Sequence, residues 1–197
     1  MGVPTIKTGP MTVEEFYALT DARPDEEKWE LLDGEPVLNA APSPIHQWIA
    51  RNLVIALGNR DRDLRAPWVV LPGLGIRVSD VSRPEPDVLV IPRSGSSTDP
   101  MARDCNDVIV AFEILSPSTE ARDLRWKRSA YTNLASLTHY VVIAQDVTEV
   151  VVFARDAGFA ERRLRSMDDV LELPSLGVTL LLSEIYCDLE WARARFR

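Results

Sequence analysis

The sequence predicts an α/β (α+β) chain, and three observations carry that expectation. Apolar runs rich in Val and Ile recur at 87–91, 108–115 and 139–144, as in strands covered on both faces. Ile45, Ile49, Leu53 and Leu57 repeat every four residues, as do Asp123, Lys127 and Tyr131, which is helical spacing. Asp33-Gly34 lies between two short arms, 29–32 and 35–38, the strongest short-range signal of a two-residue hairpin.

Taken in order, residues 12–20 read as a short helix. Thr12 is its N-cap, Glu14 and Glu15 occupy the favourable first turn, and Phe16 and Leu19 give an apolar side. The hairpin follows a polar loop at 21–27. Ser43-Pro44 then supplies a cap and a proline at the first helical position, so a helix is expected to about Gly58, whose glycine suits its end. Strands are expected at 68–71 and 75–78 across Pro72-Gly73-Leu74, and at 87–91, with 92–106 as a loop. The strand at 108–115 ends at Ser116-Pro117, and the helix carrying Asp123 and Lys127 follows. The strand at 139–144 is expected to form a hairpin with 150–153. Short strands are expected at 158–164 and 170–173, and residues 183–197 alternate apolar and charged residues in a helical manner. No internal repeat or linker divides the chain, so residues 1–197 are expected to form one domain.

The formal charge of -8 and pI near 4.9 argue against a protein that coats nucleic acid by bulk electrostatics. A basic groove on an acidic body remains open, and positive charge does cluster at 122–128, 162–165 and 193–197. The plain reading of these clusters is solvated faces with acids interleaved. Cys105 and Cys187 lie far apart with no metal-binding spacing, which suits a reducing compartment. No charged start precedes an apolar core at the N-terminus, and no segment approaches a membrane span, so a cytoplasmic protein without a membrane partner is expected.

Three strands carry acids: Glu30 in the hairpin, Asp87 at the head of its strand and Glu113 near the end of the most apolar run. A carboxylate on a buried strand is costly unless paired, protonated or bound to a metal. Two carboxylates on neighbouring strands repel unless a cation sits between them, and magnesium takes such oxygen ligands while keeping several waters. A nearby lysine would then stabilise a transition state or orient a nucleophile. By itself Glu30 reads as a solvated hairpin acid, and His46 as a surface or capping contact. Asp123 is spaced to pair with Lys127, and Tyr131 to close the core with its hydroxyl at the rim.

Pro86-Asp87 followed by Glu113-Ile114-Leu115 has the outline of the PD-(D/E)XK nuclease signature, with Leu115 where a lysine is expected. Most of the chain resembles the Uma-type restriction endonucleases, a branch of that superfamily. The likeness rests on 29–35 (WELLDGE), Ser43-Pro44 with His46, Pro86-Asp87-Val88, and 113–119 (EILSPST) followed by Asp123, Lys127, Tyr131 and 139–142 (HYVV). The resemblance implies a restriction-endonuclease-like mixed sheet flanked by helices, with the N-terminal helix and hairpin added. It implies that Asp87 and Glu113 hold a divalent metal, Mg2+ or Mn2+, that Lys127 takes over the strand lysine's place from the following helix, and that Glu30 reaches the same pocket. The family's next strand commonly carries a Tyr-Trp pair, whereas here Val141 follows Tyr140.

The function expected is a magnesium-dependent DNA endonuclease, with Asp87 and Glu113 as metal ligands, Lys127 stabilising the transition state and Glu30 as accessory acid or base. A homodimer is expected, because a small nuclease must cut two strands. The alternative is a nuclease fold that no longer cuts and serves in binding or assembly. The plainest alternative is a Glu113–Lys127 ion pair joining strand to helix, for which Lys127→Met, similar in shape, leaves activity unaffected.

Overall fold

The structure is a computed structural model that describes residues 9–24, 26–94, 101–116 and 122–189. The turn expected at 117–119, part of the 92–106 loop and the tail from 190 lie outside the described residues.

Helix α1, Val13–Thr20, starts at Thr12, whose side chain accepts from the Glu15 backbone while Glu15 reaches back to the Thr12 N–H, a complete capping box. Strands β1, Trp29–Leu32, and β2, Glu35–Leu38, form the expected hairpin. Its turn needs left-handed backbone at Asp33 (φ 51°) and Gly34 (φ 82°), and a Cβ on Gly34 would lie 2.2 Å from that of Pro10. Only glycine suits the second position.

Helix α2 runs Pro44–Leu64, past the end expected at Gly58. Gly58 keeps helical backbone inside it, and the stop comes at Arg65 in the left-handed region (φ 48°), after buried Asp61 has paired with Arg93. The polar residues beyond Gly58 are adequate helix formers, so a single glycine is a local cost and no terminator.

Six strands form the main sheet in the order β10-β9-β8-β7-β5-β3: β3 Trp68–Pro72, β5 Val88–Pro92, β7 Val110–Ile114, β8 His139–Ile143, β9 Val150–Ala154 and β10 Glu161–Leu164. Only β7 and β8 are parallel, so the sheet is mixed. The expected strand at 75–78 is reduced to β4, Gly75–Ile76, which pairs in parallel with β6, Asp104–Cys105, inside the segment expected as loop. A second hairpin joins β11, Val170–Leu173, to β12, Val178–Leu181. A short α4, Leu182–Ile185, follows.

The sheet buries two apolar faces. Val88, Val90, Val110, Phe112 and Ile114 meet Ile49, Leu53 and Leu57 of α2. On the other face Leu89, Ala111, Tyr140 and Val142 meet Tyr131 and Leu137. The parallel step from β7 to β8 is spanned by a π-helical turn, Asp123–Lys127, continued by α3, Arg128–Thr132. Strand alternation puts Glu113, two residues after Ala111, on the face that this helix covers.

Candidate active site

Glu113 is buried at the end of an otherwise apolar strand, and two groups answer it. The Lys127 ammonium lies 2.8 Å from its Oε1, and the Tyr131 hydroxyl donates to the same oxygen at 3.2 Å. Lys127 also lies 2.8 Å from Glu30 Oε1 and 3.5 Å from Asp123 Oδ1, with its side chain 3% exposed. One ammonium therefore sits among three carboxylates. Asp123, Lys127 and Tyr131 share the inward face, as their spacing implies, although the first turn is π-helical and not α-helical. Such turns occur often at functional sites. Tyr140 donates to the Asp123 carbonyl at 2.9 Å, bonding backbone at the start of that turn.

Glu30 reaches the cluster because the β1–β2 hairpin is laid against residues 83–85. Leu31 exchanges backbone hydrogen bonds with Arg83 (2.7 and 3.2 Å), and the Glu85 N–H donates to Glu30 Oε1 at 2.7 Å. The tip is fixed to the π-helical turn by Trp126, which donates to Asp33 at 2.6 Å. The exposed acid expected from the hairpin alone is therefore fully buried. Asn39 donates to Glu30 Oε2 at 2.9 Å and accepts from Arg122 at 2.7 Å. Reading β1–β2 one step past its ends pairs Asn39 with Lys28, and Asn39 does donate its N–H to the Lys28 carbonyl at 2.9 Å. Lys28, Asn39 and Arg122 were missed from sequence. The register fixed by Asp33-Gly34 could have found the first two, because Lys28 and Glu30 share a strand face.

Asp87 stands just ahead of β5. Carrying the Val88↔Phe112 register one residue on faces it with Glu113. Its Oδ2 accepts the Ile114 N–H at 2.8 Å and lies 3.1 Å from His46 Nε2, and its Oδ1 lies 3.3 Å from the Lys28 ammonium. His46 is thus turned into the cleft and not onto the surface, because Ser43 caps α2 by accepting the His46 N–H and so sets the first turn over the end of β5. Asp87, Glu113, Lys127, His46, Lys28 and Arg122 all line one cleft of about 450 Å³. Leu115, where the signature would place lysine, packs instead against the second apolar face.

The electrostatics separate these acids. Burial raises the Glu113 carboxyl well above its ordinary range; Lys127 opposes this, while Asp123, Asp87 and Glu30 add to it. Burial also acts against ionised Asp87, but the His46 hydrogen bond and the Lys28 charge outweigh it and hold that carboxyl well below its usual range. Glu30 is likewise lowered, burial being overcome by Lys127, the Glu85 N–H and Asn39. Desolvation would neutralise Lys127, yet Glu113, Glu30 and Asp123 raise its proton affinity and keep it charged. The Glu85 carboxylate is taken by Arg83 at 2.9 Å. Around the cleft Glu30, Asp87, Glu113 and Asp123 thus face Lys28, Arg122 and Lys127.

That donor set suits a hard divalent cation, because two carboxylates from neighbouring strands offer it oxygen donors. Among the described residues no three His, Cys, Asp or Glu side chains form a ready-made cage.

The family model Uma2, described as "Putative restriction endonuclease", matches residues 13–183. The chain belongs to the Uma2 family. Among curated proteins nothing matches its sequence. The Uma2 chain is similar to a solved structure described as "a putative nuclease belonging to DUF820" from Anabaena variabilis ATCC 29413, with TM-score 0.73 and 16% identity over 90% of this chain and 98% of that one. At that identity the likeness establishes the fold, and it agrees with the restriction-endonuclease-like mixed sheet expected from the sequence. Among the described residues no helix of this Uma2 chain is long and apolar enough to cross a membrane.

Proposed function

We propose that the cleft hydrolyses phosphodiester bonds in DNA as a metal-dependent endonuclease. The observation that carries this reading is the Lys127 ammonium, 2.8 Å from Glu113 and from Glu30, in a cleft shared with Asp87 in a Uma2 chain. Asp87 and Glu113 would hold Mg2+ or Mn2+, which would supply positive charge beside a phosphate oxygen and activate water.

The remaining roles fall to the chain itself. His46 and the Ile114 N–H hold the Asp87 carboxylate in place and ionised. Lys127 and Tyr131 hold Glu113 Oε1, leaving its carboxylate aimed into the cleft, and Lys127 adds fixed positive charge next to the reacting phosphate. Glu30 is fully buried and accepts from Lys127, Asn39 and the Glu85 N–H, so it acts as a positioning residue for the lysine. In the reaction the oxygen of water bonds to phosphorus, the bond to one sugar oxygen breaks, and that oxygen leaves with a proton. A second copy of the chain would supply the cut on the other strand, which favours a homodimer as the working unit.

Supercoiled plasmid incubated with Mg2+ or Mn2+ tests the reading. Wild type is expected to nick and linearise it, and Asp87→Ala to leave it intact. Equal behaviour of the two would sink the enzymatic assignment. The alternative, a binding or assembly module, is favoured by one observation: Lys28, His46 and Lys127 already compensate both carboxylates without an ion. It predicts no nicking by either protein.

A further inference from the structure

Resting on the nuclease reading, we propose that Lys28 and Arg122, at the mouth of the cleft, grip the backbone phosphates of the DNA. Three fixed cations line the cleft, and they differ in what surrounds them. Lys127 is 3% exposed and has carboxylate oxygens of Glu30, Glu113 and Asp123 within 3.5 Å, so its charge is met inside the protein. Lys28 is 34% exposed, and among the described residues its ammonium meets a single carboxylate oxygen, Asp87 Oδ1 at 3.3 Å.

Arg122 is 22% exposed. It gives Nη2 to Asn39 at 2.7 Å and lies 3.6 Å from Glu30, and its buried Nε, 4.0 Å from Asp123 Oδ1, has no hydrogen-bond partner among the described residues. A guanidinium carries five N–H donors in a planar fork that matches phosphate oxygens, so most of its donor capacity remains for a ligand.

The two cations are also mounted on one support. Asn39 binds Lys28 through its backbone N–H and Arg122 through its side chain, while its amide is anchored on buried Glu30. The open end of the hairpin therefore fixes both cations relative to the acids that do the chemistry. Among the described residues, the arginines on and just after β10 already face carboxylates: Arg163 is paired with Glu149 and Glu161, Arg165 with Glu149, and Arg162 with Glu172. On an acidic body, the mouth of the cleft is where unneutralised donors meet the site.

The test is fluorescence anisotropy of a labelled duplex in EDTA across a salt series, together with plasmid nicking kinetics in Mg2+. Lys28→Gln and Arg122→Gln are each expected to weaken binding roughly five- to tenfold near 0.1 M salt and to reduce the log–log salt slope by about 0.9, the loss of one phosphate contact. In nicking, KM rises while kcat stays within about threefold, the signature of lost uniform binding. Lys28→Arg, which keeps the charge, retains the wild-type slope, and Arg60→Gln, on α2 and paired with Glu184, changes neither readout. Thermal melts of each variant verify that it is folded. If wild type cuts plasmid and both glutamine variants keep its affinity and slope, the phosphate grip is wrong while the nuclease reading stands. The grip is equally wrong if wild type cuts but shows no salt-dependent binding. A wild type that neither binds nor cuts overturns both.

Discussion

The floor and the mouth of the cleft use the same kinds of side chain in opposite ways. At the floor Lys127 is enclosed by Glu30, Glu113 and Asp123, and its bonds are internal. At the mouth Lys28 and His46 meet Asp87, Arg122 meets Asn39, and all three line the cleft. The difference teaches that burial, and not residue type, sets a charge apart: enclosed ions are tied to one another, and partly exposed ions keep a face to the cleft. Removing a buried partner strands its counter-charges, whereas removing an exposed one lets water take its place.

The largest effect expected from this contrast is on stability at the floor. Lys127→Met leaves three buried acids without their ammonium and is expected to cost about 3–5 kcal/mol in urea unfolding, with nicking abolished. A loss below about 1 kcal/mol would erase the distinction between floor and mouth. Glu113→Gln sharpens it, because it also abolishes nicking but keeps Lys127 paired with Glu30 and Asp123. Since burial raises the Glu113 carboxyl, its ionised form works against folding above the ordinary carboxyl range, and the metal-free variant is expected to lie within about 1 kcal/mol of wild type or above it.

Next in size is His46→Ala, which removes the group that holds Asp87. It is expected to lower kcat by about 10- to 100-fold with little change in KM, as for other groups that orient a ligand. An unchanged kcat would place His46 outside the machinery.

The smallest effect concerns pH. The Glu30 carboxyl is held below its ordinary value of 4.5, so the stability it contributes is complete above that value and is lost as pH falls through the lower folded-state value. Glu30→Gln is expected to flatten the urea midpoint between about pH 5 and pH 3 relative to wild type. Parallel pH profiles for the two proteins would contradict the assignment.

Much of this was legible in the sequence where local chemistry decides. The apolar runs became β5, β7 and β8, and Asp33-Gly34 made the hairpin, because a buried strand must be apolar and that turn must tolerate positive φ. The Glu113–Lys127 meeting was legible too, since strand and following helix are adjacent in sequence. What escaped was set by distant contacts. Gly58 did not end α2, because Arg65 stopped it about two turns later, beyond the Asp61 to Arg93 contact. The π-helical turn still brings Asp123 and Lys127, four residues apart, onto one face, so their spacing did not distinguish it from an α-helix. Arg122 meets Asn39, and Glu30 meets the Glu85 N–H, only once the hairpin has been laid along residues 83–85.

The central claim is that Asp87 and Glu113 together hold one divalent ion, and calorimetric titration of Mn2+ into metal-free protein tests it most directly. One ion is expected to bind per chain in wild type and in Lys28→Gln, and none in Asp87→Asn or Glu113→Gln. Saturable binding that survives Asp87→Asn unchanged, or no binding to wild type, would contradict it.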